Sequence, residues 1–248
     1  GQRFISAIVS AVNTNPALQE CTNQSILSGA LLGESLKLSP SPQLGQYYLV
    51  SFNDKNKGKV AQFQLGYKGY IQLAIRSGQY KKLNVLAIKE GELIRFDPLN
   101  EEIEVRLIED EEEREQANTI GYYAMFEYTN GFRKAIYWSK RKMEAHALKY
   151  SKGYQAKKGY TFWEKDFDGM AYKTMLRQLI SKWGIMSIDM ASAIDSDMAV
   201  INEDGTKDYV DNDATVFDME PAQEATPQQS QPEPAVPVDA KAALFGNN

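Results

Sequence analysis

The sequence predicts an α+β fold, a mostly antiparallel sheet of β-hairpins packed against several helices, and three observations carry that reading. Runs rich in β-branched and aromatic residues come in pairs joined by short polar turns, as hairpins require. Other stretches repeat their apolar residues at helical spacing, with capping residues before them and glycine or proline after them. At 248 residues and 43% hydrophobic, the chain is long enough to bury a sizeable core.

Taken in order, Phe4 to Val12 has helical periodicity that the Asn-Thr-Asn-Pro run at 13–16 ends. A second helix runs from about Asn23 to Leu36, capped by Thr22 or Asn23 and stopped before Ser39-Pro40-Ser41-Pro42. Gly45 to Phe52 and Lys59 to Leu65 read as two strands, with Lys55, Lys57 and Lys59 at or beside the tip of their hairpin. Gly66 to Ser77 is helical, and Gly78 accepts the left-handed backbone common just past a helix end. Strands follow at Tyr80 to Lys89, Glu92 to Phe96 and Ile103 to Ile108, then an acidic run, Glu109 to Glu113, expected as an exposed loop. Ile120 to Tyr128 and Phe132 to Trp138 form the clearest hairpin, because the Asn130-Gly131 pair between them suits a primed turn. Lys140 to Lys152 and Trp163 to Trp183 are two helices separated by a Gly/Lys linker, the second ended by Gly184. Beyond residue 195 periodicity fades and Asp, Gln and Pro accumulate. This divides the chain into a core, 1–195, and a disordered acidic tail, 196–248, that holds one apolar island, Asp239 to Phe245.

Charge is unevenly distributed along the chain. Residues 1–98 carry 11 basic and 6 acidic side chains (+5), 99–116 carry 2 and 9 (−7), 117–183 carry 13 and 5 (+8), and 184–248 carry 2 and 13 (−11). A basic body with acidic appendages fits a protein that holds a polyanion, against the plainer reading of solvated surface charge. One cysteine, Cys21, and one histidine, His146, make neither a disulfide framework nor a Cys/His zinc site. No run approaches the roughly 18 to 20 apolar residues of a membrane helix, and the first residues lack a basic n-region and a cleavage site.

The motifs of catalysis fail one by one. Asn53 to Val60 ends in Gly58-Lys59 like a phosphate loop, but Asn53 stands for the leading glycine and Val60 for the Ser/Thr that holds Mg²⁺. His146 has Lys142 and Lys149 as helical neighbours and no nucleophile tied to it, so it reads as a surface or phosphate-facing residue. Asp166 and Asp168 are the pair from which a metal-dependent nuclease would be built, although two acids in one helical turn are ordinarily solvated charge. Basic and aromatic residues converge better. Lys173 and Arg177 lie one turn apart with Thr174 beside them, a spacing that lets two cations and a hydroxyl serve one phosphate track. Lys142, His146 and Lys149 share a helix face, and Lys152, Lys157 and Lys158 are interleaved with Tyr154, Tyr160, Phe162 and Trp163. Such mixtures suit single-stranded nucleic acid, whose phosphates take cations and whose bases stack. For Phe162 and Trp163, base contact and core packing weigh evenly, because aromatics at a helix start often pack inward. Tyr67, Lys68 and Arg76 mark the two ends of the GYKG helix, whose first amides are a further place for a phosphate.

These segments, in this order, resemble the RecT family of phage single-strand annealing proteins. The resemblance rests on Gly45-Gln46-Tyr47-Tyr48-Leu49-Val50-Ser51-Phe52, Gly66-Tyr67-Lys68-Gly69-Tyr70-Ile71, Leu73-Ala74-Ile75-Arg76-Ser77-Gly78 and Met170-Ala171-Tyr172-Lys173-Thr174-Met175-Leu176-Arg177, and spans roughly residues 20–195. It implies a recombinase that is not an enzyme and needs no ATP or other cofactor. Such a protein coats single-stranded DNA, pairs it with its complement and holds the annealed duplex. It implies a core that oligomerises into rings or helical filaments, DNA along a basic groove, and a C-terminal region for partners. A phage exonuclease and the host single-strand-binding protein are the partners expected, in the cytoplasm of a bacterial host. Carried onto this sequence, the resemblance gives backbone contact first to Lys173, Thr174 and Arg177, then to Tyr67, Lys68 and Arg76, then to the 140–158 lysines. The rival readings are a passive single-strand-binding module that does not anneal, and the Mg²⁺ nuclease.

Overall fold

The computed structural model describes residues 2–54, 56–159 and 161–209, all within one compact unit. The helices are α1 (Gln2–Thr14), α2 (Pro16–Gln19), α3 (Asn23–Ser35), α4 (Tyr67–Ser77), α5 (Glu111–Gln116), α6 (Lys140–Tyr150), α7 (Lys152–Gln155), α8 (Phe162–Lys165), α9 (Phe167–Trp183) and α10 (Ile188–Ser196). The strands are β1 (Tyr47–Asp54), β2 (Gly58–Leu65), β3 (Tyr80–Lys89), β4 (Leu93–Asp97), β5 (Glu102–Val105), β6 (Thr119–Tyr128), β7 (Arg133–Ser139), β8 (Ala199–Ile201) and β9 (Lys207–Tyr209). The fold is α+β, and its paired strands are antiparallel: one sheet has the order β1-β2-β8-β9, a second β3-β6-β7, and β4-β5 is a separate hairpin.

Local chemistry accounts for most boundaries. The Thr22 side chain accepts from the Ser25 amide and starts α3, and Gly78, at φ +69°, ends α4. Gly131, at φ +87°, turns β6 into β7 in a register that sets Gly121 opposite Ser139 and Glu127 opposite Arg133. Helices α3, α4, α6, α9 and α10 close over the sheets, and Tyr47, Phe63, Tyr70, Tyr122, Phe126, Met143 and Met175 are fully buried between them.

Three expectations need correction. The acidic run is not a loop: Asp110 caps α5 by accepting from the Glu113 amide at 2.8 Å, and Glu111, Glu112 and Glu113 occupy the first turn, where the helix dipole favours negative charge. Arg114 then anchors α5 through the fully buried carboxylate of Glu92, at 2.6 Å. Burial pushes that carboxyl up, but Arg114 and the amides of Lys89 and Ile108 outweigh burial and hold it below its usual range. The single helix expected over Trp163 to Trp183 is broken at Asp166, which leaves helical geometry (φ −148°, ψ 76°) and caps α9 by accepting from the Gly169 amide at 2.9 Å. The core does not stop at residue 195. β8 pairs with β2 through Phe63 and Ala199, and β9 pairs with β8, so residues 196–209 complete a sheet whose β2 edge would otherwise be bare. Periodicity could not reveal strands of three residues. Residues 210–248, with the Asp239 to Phe245 island, lie outside the described residues, as do Lys55 and Tyr160.

Candidate nucleic-acid interface

The α9 motif has the expected spacing but a different setting. Lys173, Thr174 and Arg177 are buried, at 7%, 6% and 8% exposure, because α9 packs across β3, β6 and β7 and against α4. Both cations close on Asp197, which is 0% exposed: Lys173 Nζ donates to Oδ1 at 2.9 Å and Arg177 Nη1 to Oδ2 at 2.7 Å. The Leu65 amide donates to Oδ1 as well, at 2.9 Å, so one carboxylate ties α9 to β2 and to the end of α10. Burial lowers the Lys173 ammonium against the pull of Asp197. The Thr174 hydroxyl donates to the Met170 carbonyl at 2.9 Å. Here these three side chains fasten the body together rather than face a phosphate track. Asp197 escaped sequence reading because it falls in the stretch taken for a tail.

At the start of α4 the expectation meets an exposed surface. Gly66 caps the helix without a side chain, and a Cβ there would lie 2.1 Å from the Gly45 carbonyl oxygen. A Cβ on Gly69 would lie 2.2 Å from that of Gln46. The two glycines of GYKG therefore let the 45–46 backbone run against the first turn of α4. Between them Lys68 is exposed and Tyr67 half-buried, its ring edge-on to Tyr172 at 5.7 Å. Tyr48 joins them from β1. Tyr47 points inward, so its neighbour points out, and the Tyr48 ring meets Phe162 of α8 at 5.5 Å. Burial, the Asp166 carboxylate and Tyr67 all raise the Tyr48 phenol. Tyr48, Tyr67, Lys68 and Phe162 thus come together from three separate segments. Sequence reading passed over Tyr48, which the alternation along β1 could have singled out. Arg76, at the far end of α4, donates to the Leu36 carbonyl and so caps α3.

The third group spreads along α6 and the linker. Lys142 is exposed with its ammonium 4.3 Å from the centre of the Trp138 ring, and Lys149 is exposed with its ammonium 4.9 Å from that of Tyr150. Lys152, Lys157 and Lys158 are exposed around α7 and the turn after it. Trp163 is core: it packs on Phe167 at 5.1 Å and Tyr154 at 6.2 Å. His146 is half-buried against aromatic rings rather than set out on the surface. It lies among Trp138, Tyr150 and Trp163, and burial, with Lys149, Arg177 and Lys142 nearby, lowers it to about 4. Below pH 6.5 the unfolded chain binds a proton there that the folded chain refuses, so stability should fall as pH drops from about 6.5 to about 4. Urea melts across that range should show a shallower loss for His146→Phe than for the parent. Equal slopes would mean the imidazole titrates normally.

Asp166 caps α9, and Asp168 accepts from the Tyr122 hydroxyl at 2.6 Å. Among the described residues no group of three His, Cys, Asp or Glu is placed to hold a metal ion, and no helix is long and apolar enough to cross a membrane.

The model of the RecT family matches residues 2–214. The uncharacterized protein YqaK of Bacillus subtilis (strain 168) is 40% identical over 249 aligned residues, covering 96% of this chain and 80% of that relative. Protein RecT of Escherichia coli (strain K12) is 30% identical over 199 residues, covering 79% of this chain and 71% of that protein.

Proposed function

Because the chain belongs to the RecT family of single-strand annealing proteins of DNA recombination, we propose that it binds single-stranded DNA and pairs it with its complement without ATP, along the surface that joins Tyr48, Tyr67, Lys68 and Phe162 to the lysines of α6 and α7. The observation that carries this reading is the meeting of aromatic rings and an exposed cation from β1, α4 and α8, together with the exposed Lys142, Lys149, Lys152, Lys157 and Lys158 along α6, α7 and the turn after it. Cations take the phosphates and reduce the repulsion between two strands. Rings support the bases by stacking, which accepts any sequence, so base pairing itself supplies the specificity. Lys173 and Arg177, through Asp197, and Arg76, through the Leu36 carbonyl, fasten the helices that carry this surface.

The same reading makes the protein a homo-oligomer, ring or filament, in the bacterial cytoplasm. Its C-terminal region is then the place for partners such as a phage exonuclease or the host single-strand-binding protein. The two carboxylates a nuclease would recruit are engaged instead as a helix cap and as a tyrosine acceptor.

The test is duplex formation from two complementary labelled oligonucleotides without nucleotide, against protein-free and non-complementary controls. Acceleration supports the proposal, binding without acceleration replaces it with a passive binding module, and strand cleavage overturns it. In the same assay, changing Lys152, Lys157 and Lys158 together to Gln should weaken binding to every sequence alike. It should also flatten the plot of log affinity against log salt by about 2, at roughly 0.7 per lost phosphate contact on a single strand. An unchanged slope would remove the linker from the interface.

A further inference from the structure

A second gathering of cations and rings lies at the other end of α6 and α9. Lys134 of β7 places its ammonium 3.6 Å from the centre of the Trp183 ring, and Lys182 places its own at 5.7 Å. Trp183, the last residue of α9, is 40% exposed. Lys142, in the first turn of α6, covers Trp138, and the influence of Lys182 reaches both Lys134 and Lys142. For each of these two, burial lowers the ammonium first and Lys182 lowers it further. Lys134 bridges Glu101. Two ammonium groups are therefore held over one exposed indole, with a third over the neighbouring Trp138.

The position of this cluster is informative. The start of α6 lies beside the end of α9, where Lys142 feels Lys182, while further along α6 His146 meets Trp163, and Trp163 meets Phe167 at the start of α9. The two helices are thus antiparallel. The cluster stands at one end of the pair, and Phe162, with Tyr48, stands at the other. The 17 residues of α9 separate the ends by about 25 Å.

We infer that Lys134 and Lys182, gathered around the exposed ring of Trp183, with Lys142 over Trp138 at the start of α6, form a further subsite that takes a nucleic-acid backbone phosphate and stacks one base, so that a single strand is held along the whole length of the α6–α9 pair. This rests on the single-strand reading above. The alternative is that the cation–π pairs only brace the end of α9.

The experiment compares the full-length protein with Lys134→Gln/Lys182→Gln, with Lys182→Gln alone, and with Trp183→Ala and Trp183→Phe, using a fluorescein-labelled oligo-dT titrated at several salt concentrations. The double variant should lower the salt slope by about 1.4 and the single variant by about 0.7. Trp183→Ala should lose roughly tenfold or more in affinity, as stacking of about 1 to 3 kcal/mol implies, and Trp183→Phe should keep most of it. Lys182 is exposed, so the single variant tests the subsite even where the double variant melts early. Parental affinity and slope in the variants, with or without lower melting temperatures, would make the cluster a brace and overturn the subsite while the annealing reading stands. Failure of the parent protein itself to bind oligo-dT would overturn the annealing reading instead.

Discussion

Replacing Asp197 with Ala should destabilise the folded protein by about 3–5 kcal/mol, the range for removing one member of a buried ion network and stranding the others. Lys173 and Arg177 would be left buried at 7% and 8% exposure without the carboxylate they share, and the Leu65 amide would lose its acceptor. The measurement is urea unfolding, where the midpoint should fall with little change in slope. Direction and cause separate in a second variant. Exchanging all three side chains together, Lys173→Met, Arg177→Met and Asp197→Leu, removes the desolvation cost along with the attraction and should recover much of the loss. Asp197→Ala with parental stability would show that the network contributes nothing net. The same variants bear on DNA: if Lys173 and Arg177 serve only as fasteners, the triple exchange should leave the salt dependence of binding unchanged.

Gly69→Ala should lower both stability and strand binding, although helix propensity alone argues the other way by about 1 kcal/mol. Gly69 sits inside α4, where alanine is ordinarily the better residue. Its Cβ would meet the Gln46 carbonyl oxygen at 2.2 Å and Leu65 Cδ1 at 2.8 Å, and a backbone oxygen cannot rotate aside as a side chain does. Overpacking of this kind costs about 1–3 kcal/mol, enough to outweigh the propensity gain. The only relief is for α4 to lift away from residues 45–46, which carries Tyr67 and Lys68 away from Tyr48 and Phe162. Thermal melting should register the first effect and oligonucleotide affinity the second. A Gly69→Ala protein more stable than the parent would show that propensity decides at this position.

What could be read from the chain alone was whatever depends on near neighbours in sequence. The β6–β7 hairpin follows from Asn130-Gly131 between alternating strands, α3 from its Thr22 cap, and the end of α4 from Gly78. The exposed lysines of α6 and α7 follow from a helix face and a polar linker. The break at Asp166 and the helix at Glu111–Gln116 were within reach of the same rules, since both turn on an aspartate that caps three residues ahead.

Tertiary structure decided the rest. Helical spacing put Lys173 and Arg177 on one face, but spacing does not say whether a face looks at solvent or at a carboxylate. That carboxylate lies 24 residues from Lys173 and 20 from Arg177, in a stretch whose composition reads as tail. Tyr48 and Phe162 meet only because the fold brings the start of β1 to the start of α8, and Lys134 reaches Trp183 only because β7 packs against α9. The physical reason is the same in each case: local chemistry sets backbone conformation, whereas burial and pairing depend on which distant segment the packed core brings alongside.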